Sequence, residues 1–182
     1  MCIRDSTILW YCSDNGGLKP NSMAGLSGRK GKLLEGGIRV PGIIEWPAVI
    51  KKHRITNVPA NTVDIYPTIL ELAKVKAAED KAAPPPPGKS LVPAFAEDRS
   101  IDRDYLWWSH DGNRAIRVMY WMLVAINDGT WELFDLSKDR TETEDLASKH
   151  PDKVKELEKL WLAKQDEFIE DANSGQRPKK KK

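Results

Sequence analysis

Asp14 and Asn15 stand side by side where an apolar run gives way to Gly16-Gly17, and Lys30 and Lys32 flank Gly31 a short way on. A carboxylate and a carboxamide offer hard oxygen donors, the ligand type that Ca2+ or Mg2+ takes. A lysine ammonium is a compact charge that binds sulfate or phosphate oxygens well. Lysines beside glycine, just after such a turn, suit an anion held against a metal. The same residues also read as a polar turn, because Asp-Asn-Gly-Gly is good turn chemistry with no metal at all. His110, in Trp108-Ser109-His110-Asp111-Gly112-Asn113-Arg114-Ala115, is a further candidate. It reads either as a substrate contact or as a hydrogen-bonded structural histidine. Arg114 and Arg117 point either to the same rim or to solvent.

These residues need elements to position them. Thr7 to Cys12 is short, β-branched and aromatic, and predicts a buried strand with Cys12 as a small core residue. Asp14 and Asn15 then fall beyond a strand's carboxyl end, where open α/β sheets carry their ligand crevice. Gly42 to Pro47 predicts a second short strand closed by proline. Ala48 to Asn61 is a basic loop, and its His53 reads as solvated because no carboxylate is spaced to orient it. Val63 to Val75 predicts a helix capped by Asp64, with Pro67 in its first turn. Ile65, Ile69, Leu72 and Ala73 would form its apolar face. Lys76 to Gly88, with its run of four prolines, reads as an extended connector.

Beyond Asp104 the pattern changes to short strands. They are predicted at Tyr105–Trp108, Asn113–Val118, Trp121–Ile126 and Trp131–Phe134, with a hairpin turn at Asn127–Thr130. Met119-Tyr120 leaves the register of the second and third strands open. Asp135 to Leu146 carries many acids and reads as an exposed polar turn rather than a metal site. Pro151 opens a last helix with Val154, Leu157, Leu160, Trp161 and Phe168 as its stripe, which would pack on the four strands. Asp171 to Lys182 reads as a basic, disordered tail.

Composition narrows the classes. The chain has 182 residues, 40% hydrophobic and 31% charged, and a formal net charge of only +2, which excludes a nucleic-acid-binding type. No apolar run reaches the length of a membrane span. Two cysteines, Cys2 and Cys12, make no disulfide framework. The first six residues lack the apolar core of a signal peptide and read as a joining scar.

The segment S-D-N-G-G followed by G-R-K-G-K-x-x-E-G-G-I-R-V-P closely resembles the C-terminal signature region of the formylglycine-dependent sulfatases. V-D-I-Y-P-T-I-L-E-L-A, G-K-S-L-V-P, W-S-H-D-G-N-R-A and D-L-x-x-D-x-x-E-x-x-x-L resemble later elements of the same family. The resemblance implies an α/β fold: the C-terminal part of an alkaline-phosphatase-like sulfatase domain, then a small four-stranded antiparallel sheet with a C-terminal helix. The expected division is 7–83 for the catalytic end, 84–103 for the connector, 104–170 for the sheet and helix, and 171–182 for the tail. It implies sulfuric ester hydrolysis with Asp14 and Asn15 as Ca2+ ligands and Lys30 as the sulfate-binding lysine. Lys32 ranks second, and His110 and Arg114 are further substrate contacts. Glu35 and Arg39 would brace the loop, and Gly36 and Gly37 would allow its backbone conformation.

The implied partners are an aryl or carbohydrate sulfate ester and the enzyme that generates formylglycine. The implied location is periplasmic or extracellular. Neither cysteine lies in Cys-x-Pro-x-Arg, the setting that is converted to formylglycine. The expectation is therefore an incomplete C-terminal fragment, inactive alone. Two alternatives stay open: a phosphodiesterase or phosphonate hydrolase of the same superfamily, and a non-catalytic remnant that binds sulfated glycans.

Overall fold

The computed structural model describes residues 3–19, 23–76 and 86–174. Two compact units divide it, and neither is one continuous stretch. One groups Ile8–Glu45 with Asp104–Lys164, and the other groups Met1–Thr7, Trp46–Arg103 and Gln165–Lys182.

The first unit is built on a meander. Strands β3 (Leu106–His110), β4 (Asn113–Val118), β5 (Trp121–Ala125) and β6 (Glu132–Asp135) lie antiparallel in that order. Their alternation sends side chains to two faces, and both faces are covered. On one, Ile116, Leu123 and Leu133 pack against Leu157 and Trp161 of helix α4 (Pro151–Ser174). The Trp161 ring stacks on Trp107 at 5.4 Å between centroids, and its indole N–H donates to the Trp108 carbonyl. This is the helix-on-sheet packing the stripe predicts. α4 runs on to Ser174, so the expected tail is helical over Asp171–Ser174; 175–182 lie outside the described residues.

The second face was not foreseen. Ala115, Met122, Val124, Phe134 and Leu136 cluster with Leu33, and Leu34 and Ile38 pack beside them. The loop that carries the lysines, with its single helical turn α1 (Glu35–Ile38), is thus the layer on that side.

The β4–β5 register is resolved. Val118 pairs with Trp121, leaving a two-residue turn of Met119-Tyr120. Met119 sits at φ 52°, a left-handed conformation that a side chain resists. Asn127 and Asp128 both have positive φ, as a tight primed turn requires, and Gly129 N–H donates to the Ile126 carbonyl.

Strand β1 (Leu9–Cys12) pairs antiparallel with β2 (Gly42–Glu45) as a two-stranded ribbon. It is shorter than predicted and is not buried. Leu9, Tyr11 and Ile43 share one face by register and are each more than half exposed, and Cys12 is exposed too. The exposure has a simple cause. Two strands alone offer no second layer on that face, so Leu9, Tyr11 and Ile43 have nothing to pack against, while Trp10 and Ile44 on the other face are half-buried.

The second unit is organised by a buried charge rather than an apolar face. A 3-10 turn (Thr62–Asp64) leads into α2 (Ile65–Ala73). The cap is Asn61, not Asp64. Asn61 and Asp64 form a reciprocal capping box, and Asp64 makes no cap bond to α2. The fully buried Asp64 carboxylate accepts from Asn61 N–H, Lys89 N–H and the Arg103 guanidinium, the last at 2.7 Å. Thr68 Oγ1 accepts from Leu91 N–H and donates to the Asp64 carbonyl. Hence α2 buries Thr68, while Ile69 and Ala73, expected on an apolar face, are exposed. Leu91, Ala94 and Phe95 form the apolar part, with short helix α3 (Pro93–Ala96) held through its carbonyls by Arg54.

Two consequences can be measured. Met119→Gly removes the left-handed strain and is expected to stabilise the chain by about 1 kcal/mol, read as a higher urea midpoint at unchanged slope; a lower midpoint would contradict the turn. Asp64→Ala strands the Arg103 charge and two amide donors, and is expected to cost about 3–5 kcal/mol by the same measurement; a loss below about 1 kcal/mol would show that the hub is dispensable.

Candidate functional site

Asp14 and Asn15 lie just beyond β1, after Ser13, as the sequence predicts, though the strand belongs to a ribbon. Asn15 N–H donates to the adjacent Asp14 Oδ1 at 3.0 Å, and Ser13 Oγ donates to the Asn15 carbonyl. The second Asp14 oxygen and the Asn15 carboxamide make no hydrogen bond among the described residues. The donor chemistry therefore fits a hard cation. The number does not complete a shell, since Ca2+ takes six to eight oxygens and no group of three acidic, His or Cys side chains gathers among the described residues.

Backbone contacts join this turn to the lysine loop. Gly16 N–H donates to the Gly37 carbonyl at 2.8 Å, and Lys30 N–H donates to the Gly17 carbonyl at 3.0 Å. The approach leaves no room for side chains. A Cβ on Gly16 would overlap the Gly36 carbonyl, and one on Gly37 would overlap the Lys32 carbonyl. Neither glycine has positive φ. Space, not the backbone freedom expected from sequence, is why glycine stands there.

The two lysines differ in what they do. Lys30 is exposed, and its ammonium makes no ion pair or hydrogen bond among the described residues. Lys32 Nζ donates to Asn127 Oδ1 at 2.5 Å and is half-buried. His110, at the end of β3, is exposed with Nε2 3.4 Å from the Asp111 carboxylate. Arg114 goes elsewhere. Its guanidinium lies 4.7 Å over the Trp131 ring, near Trp161, and donates to the Gly129 carbonyl. It therefore faces α4, on the sheet face opposite the lysine loop. Arg117, one strand step out of phase, faces the other side, where burial lowers its pKa and Glu35 opposes the shift. The two arginines do not share a rim.

Sequence reasoning missed two buried polar residues. Asn113, 2% exposed, donates to the carbonyls of His110, Asp111 and Gly31 and accepts from Asn127 N–H. Glu142 lies in the acidic loop read as exposed, yet only 6% of it is exposed. Its Oε2 accepts from Glu35 N–H at 2.7 Å, and its Oε1 is buried with no hydrogen-bond partner among the described residues. Glu35 itself is buried and paired with Arg39 at 2.9 Å, the brace the sequence suggests. Burial, then the neighbouring carboxylates Glu35, Asp139 and Glu132, push the Glu142 carboxyl up to about 8, against the Glu35 N–H bond that favours its charge. The signal in sequence was an acid among turn acids. Only depth distinguishes it: Asp139 is spent on the Thr143 and Glu144 amides, and these bonds, the Glu144 amide foremost, lower its pKa.

An acid-amide turn, an unengaged lysine and a glycine-packed loop accompany a small antiparallel sheet, and the fold is that of the alkaline-phosphatase-like sulfatases. Comparison with known proteins agrees. The sulfatase family model matches residues 3–75, reaching back past Thr7 to Ile3. An uncharacterized sulfatase of Schizosaccharomyces pombe is 38% identical over 143 residues, which is 73% of this chain and 26% of that protein. A solved sulfatase of Bacteroides thetaiotaomicron, described with the metabolism of multiple glycosaminoglycans, superposes with a TM-score of 0.77 at 26% identity over 88% of this chain and 39% of its own. Another solved protein, in complex with its substrate D-glucosamine-2-N,6-O-disulfate, has a TM-score of 0.68 at 25% identity over 95% of this chain and 37% of its own. The chain belongs to the sulfatase family, and it spans between a quarter and two fifths of the length of these relatives.

The raised Glu142 pKa has a pH signature. A carboxyl with a higher pKa folded than unfolded adds stability that is fully present below its unfolded value near 4.5 and is lost as pH rises to about 8. Wild-type stability is expected to fall relative to Glu142→Gln by up to about 1.4 kcal/mol per pH unit across that window. Parallel urea midpoints for the two proteins between pH 5 and 8 would refute it.

Proposed function

We propose that this chain is the C-terminal portion of a sulfuric ester hydrolase and supplies part of its sulfate-binding apparatus. The observation that carries the reading is the pair of backbone bonds, Gly16 to Gly37 and Lys30 to Gly17, that join the Asp14-Asn15 turn to the lysine loop. Asp14 and Asn15 would hold a calcium ion. When bound, that ion supplies positive charge that neutralises and orients sulfate oxygens. Lys30 aims an unengaged ammonium at the same anion, and its charge is worth most where charge grows on the transferring group. Lys32, tied to Asn127, steadies the loop and adds a second, weaker field. His110 contacts the ester's organic part at the rim. Arg114, held over Trp131, is left out of the substrate set.

The substrate class is a sulfated carbohydrate. What supports it is the sulfated glucosamine bound by one structural neighbour. Such polymers are met outside the cytoplasm, so the reading carries export to the periplasm or beyond. Among the described residues no helix is long and apolar enough to cross a membrane. The 182 residues hold no Cys-x-Pro-x-Arg or Ser-x-Pro-x-Arg. The reading therefore assigns the nucleophile to sequence other than these residues, where a separate maturation enzyme would act on it.

The test has two arms. Alone, with excess Ca2+, the chain is expected to release no more 4-nitrophenol from its sulfate ester than a Lys30→Ala control; turnover well above that control would overturn the claim of incompleteness. In a longer protein that includes the nucleophile segment, Lys30→Ala is expected to lower kcat/KM on the order of 100-fold, and an unchanged value would remove Lys30 from the site.

A further inference from the structure

We propose that Asn113 is a positioning residue, a single buried carboxamide that holds the lysine loop and the His110 turn in one fixed arrangement. The inference rests on the sulfate-site reading for its functional meaning and on geometry alone for its structural one. Asn113 opens β4, and its Nδ2 donates to the Gly31 carbonyl at 3.2 Å, across 82 residues of chain. The same nitrogen donates to the His110 carbonyl at 2.8 Å and the Asp111 carbonyl at 3.2 Å. Its Oδ1 accepts from Asn127 N–H at 3.1 Å. Two N–H groups shared among three carbonyls, and an oxygen that takes one N–H, thus let one side chain reach three loops.

Each of those loops bears on the site. Gly31 lies between Lys30 and Lys32. The His110-Asp111 turn carries the rim histidine. Asn127 receives the Lys32 ammonium. Asp128 N–H also donates to the Gly112 carbonyl at 2.7 Å, so the two turns are already joined to each other. Asn113 adds the lysine loop to that pair. A buried polar hub bonded through both its nitrogen and its oxygen defines one arrangement, because any shift leaves a group unpaired at a cost that water cannot make good. Leu33 anchors the loop after the lysines, but an apolar contact is non-directional. The direction comes from the Asn113–Gly31 bond.

Aspartate separates the two functions of the side chain. It keeps the acceptor for Asn127 and loses the donors to Gly31, His110 and Asp111. Amide hydrogen exchange and sodium sulfate titration, both read residue by residue by NMR on the full 182-residue chain, test this. Asn113→Ala is expected to speed exchange at Lys30, Lys32 and Asn127 about tenfold more than at Leu123 in the sheet interior, and to weaken the sulfate response at Lys30 about tenfold. Asn113→Asp is expected to do the same at Lys30 and Lys32 while sparing Asn127. A uniform rise in exchange at every slow amide, or none at Lys30 and Lys32, would overturn the proposal. If wild type shows no sulfate response, the anion site fails by itself, and the exchange pattern still decides the role of Asn113. Should the alanine variant not fold, the aspartate pattern decides by the same criteria.

Discussion

Leu33, Leu34 and Ile38 lie on one face of the four-stranded sheet, and the site depends on that contact. They bracket the helical turn whose preceding loop carries Lys30 and Lys32. Burying one such side chain contributes about 1.5–3 kcal/mol, enough to keep a glycine-rich loop from ranging freely. The sheet can accept this layer because β5 is apolar at successive positions. Met122 and Val124 face the loop, and Leu123 faces α4. A strand buried on both faces reads as a continuous apolar run, and Trp121 to Ala125 is one.

Polar contacts then convert a docked loop into a defined one. Glu142 caps the α1 turn at the Glu35 amide, and Asn113 meets Gly31 from the other side. Both are buried and both come from the sheet portion of the chain, far away in sequence. The Asp14-Asn15 turn joins last, through backbone bonds that tolerate only glycine at positions 16 and 37. The site is a stack in which each layer is held by the one beneath it. The order runs from apolar face to buried polar brace to backbone contact to the exposed Lys30 ammonium.

The second unit follows a different rule. Asp64 is fully buried and is satisfied by two amides and a guanidinium, and the helix beside it leaves Ile69 in solvent. A buried ion pair is not an efficient source of stability, but it fixes geometry strictly, because each partner depends on the other. The exposed face of the β1–β2 ribbon shows the opposite situation, apolar side chains with no layer over them.

The sequence alone determined the repeating features. Alternation and turn residues specified β4 to the residue and the other three sheet strands to within two, and the spacing of Val154, Leu157, Leu160 and Trp161 specified how α4 lies on them. It also specified the chemistry on offer: oxygen donors at 14 and 15, ammonium groups at 30 and 32. These are local properties of side-chain type and period, which is why they can be read without a fold. Tertiary structure decided the rest. It chose Lys30 over Lys32 as the unengaged charge, turned Arg114 away toward Trp131, buried Glu142 more deeply than the other acids of its loop, and made Asn113 the meeting point of three loops. None of these is periodic. Each depends on which residues distant in sequence lie opposite one another and on whether water reaches them, and those are decided only when the layers close.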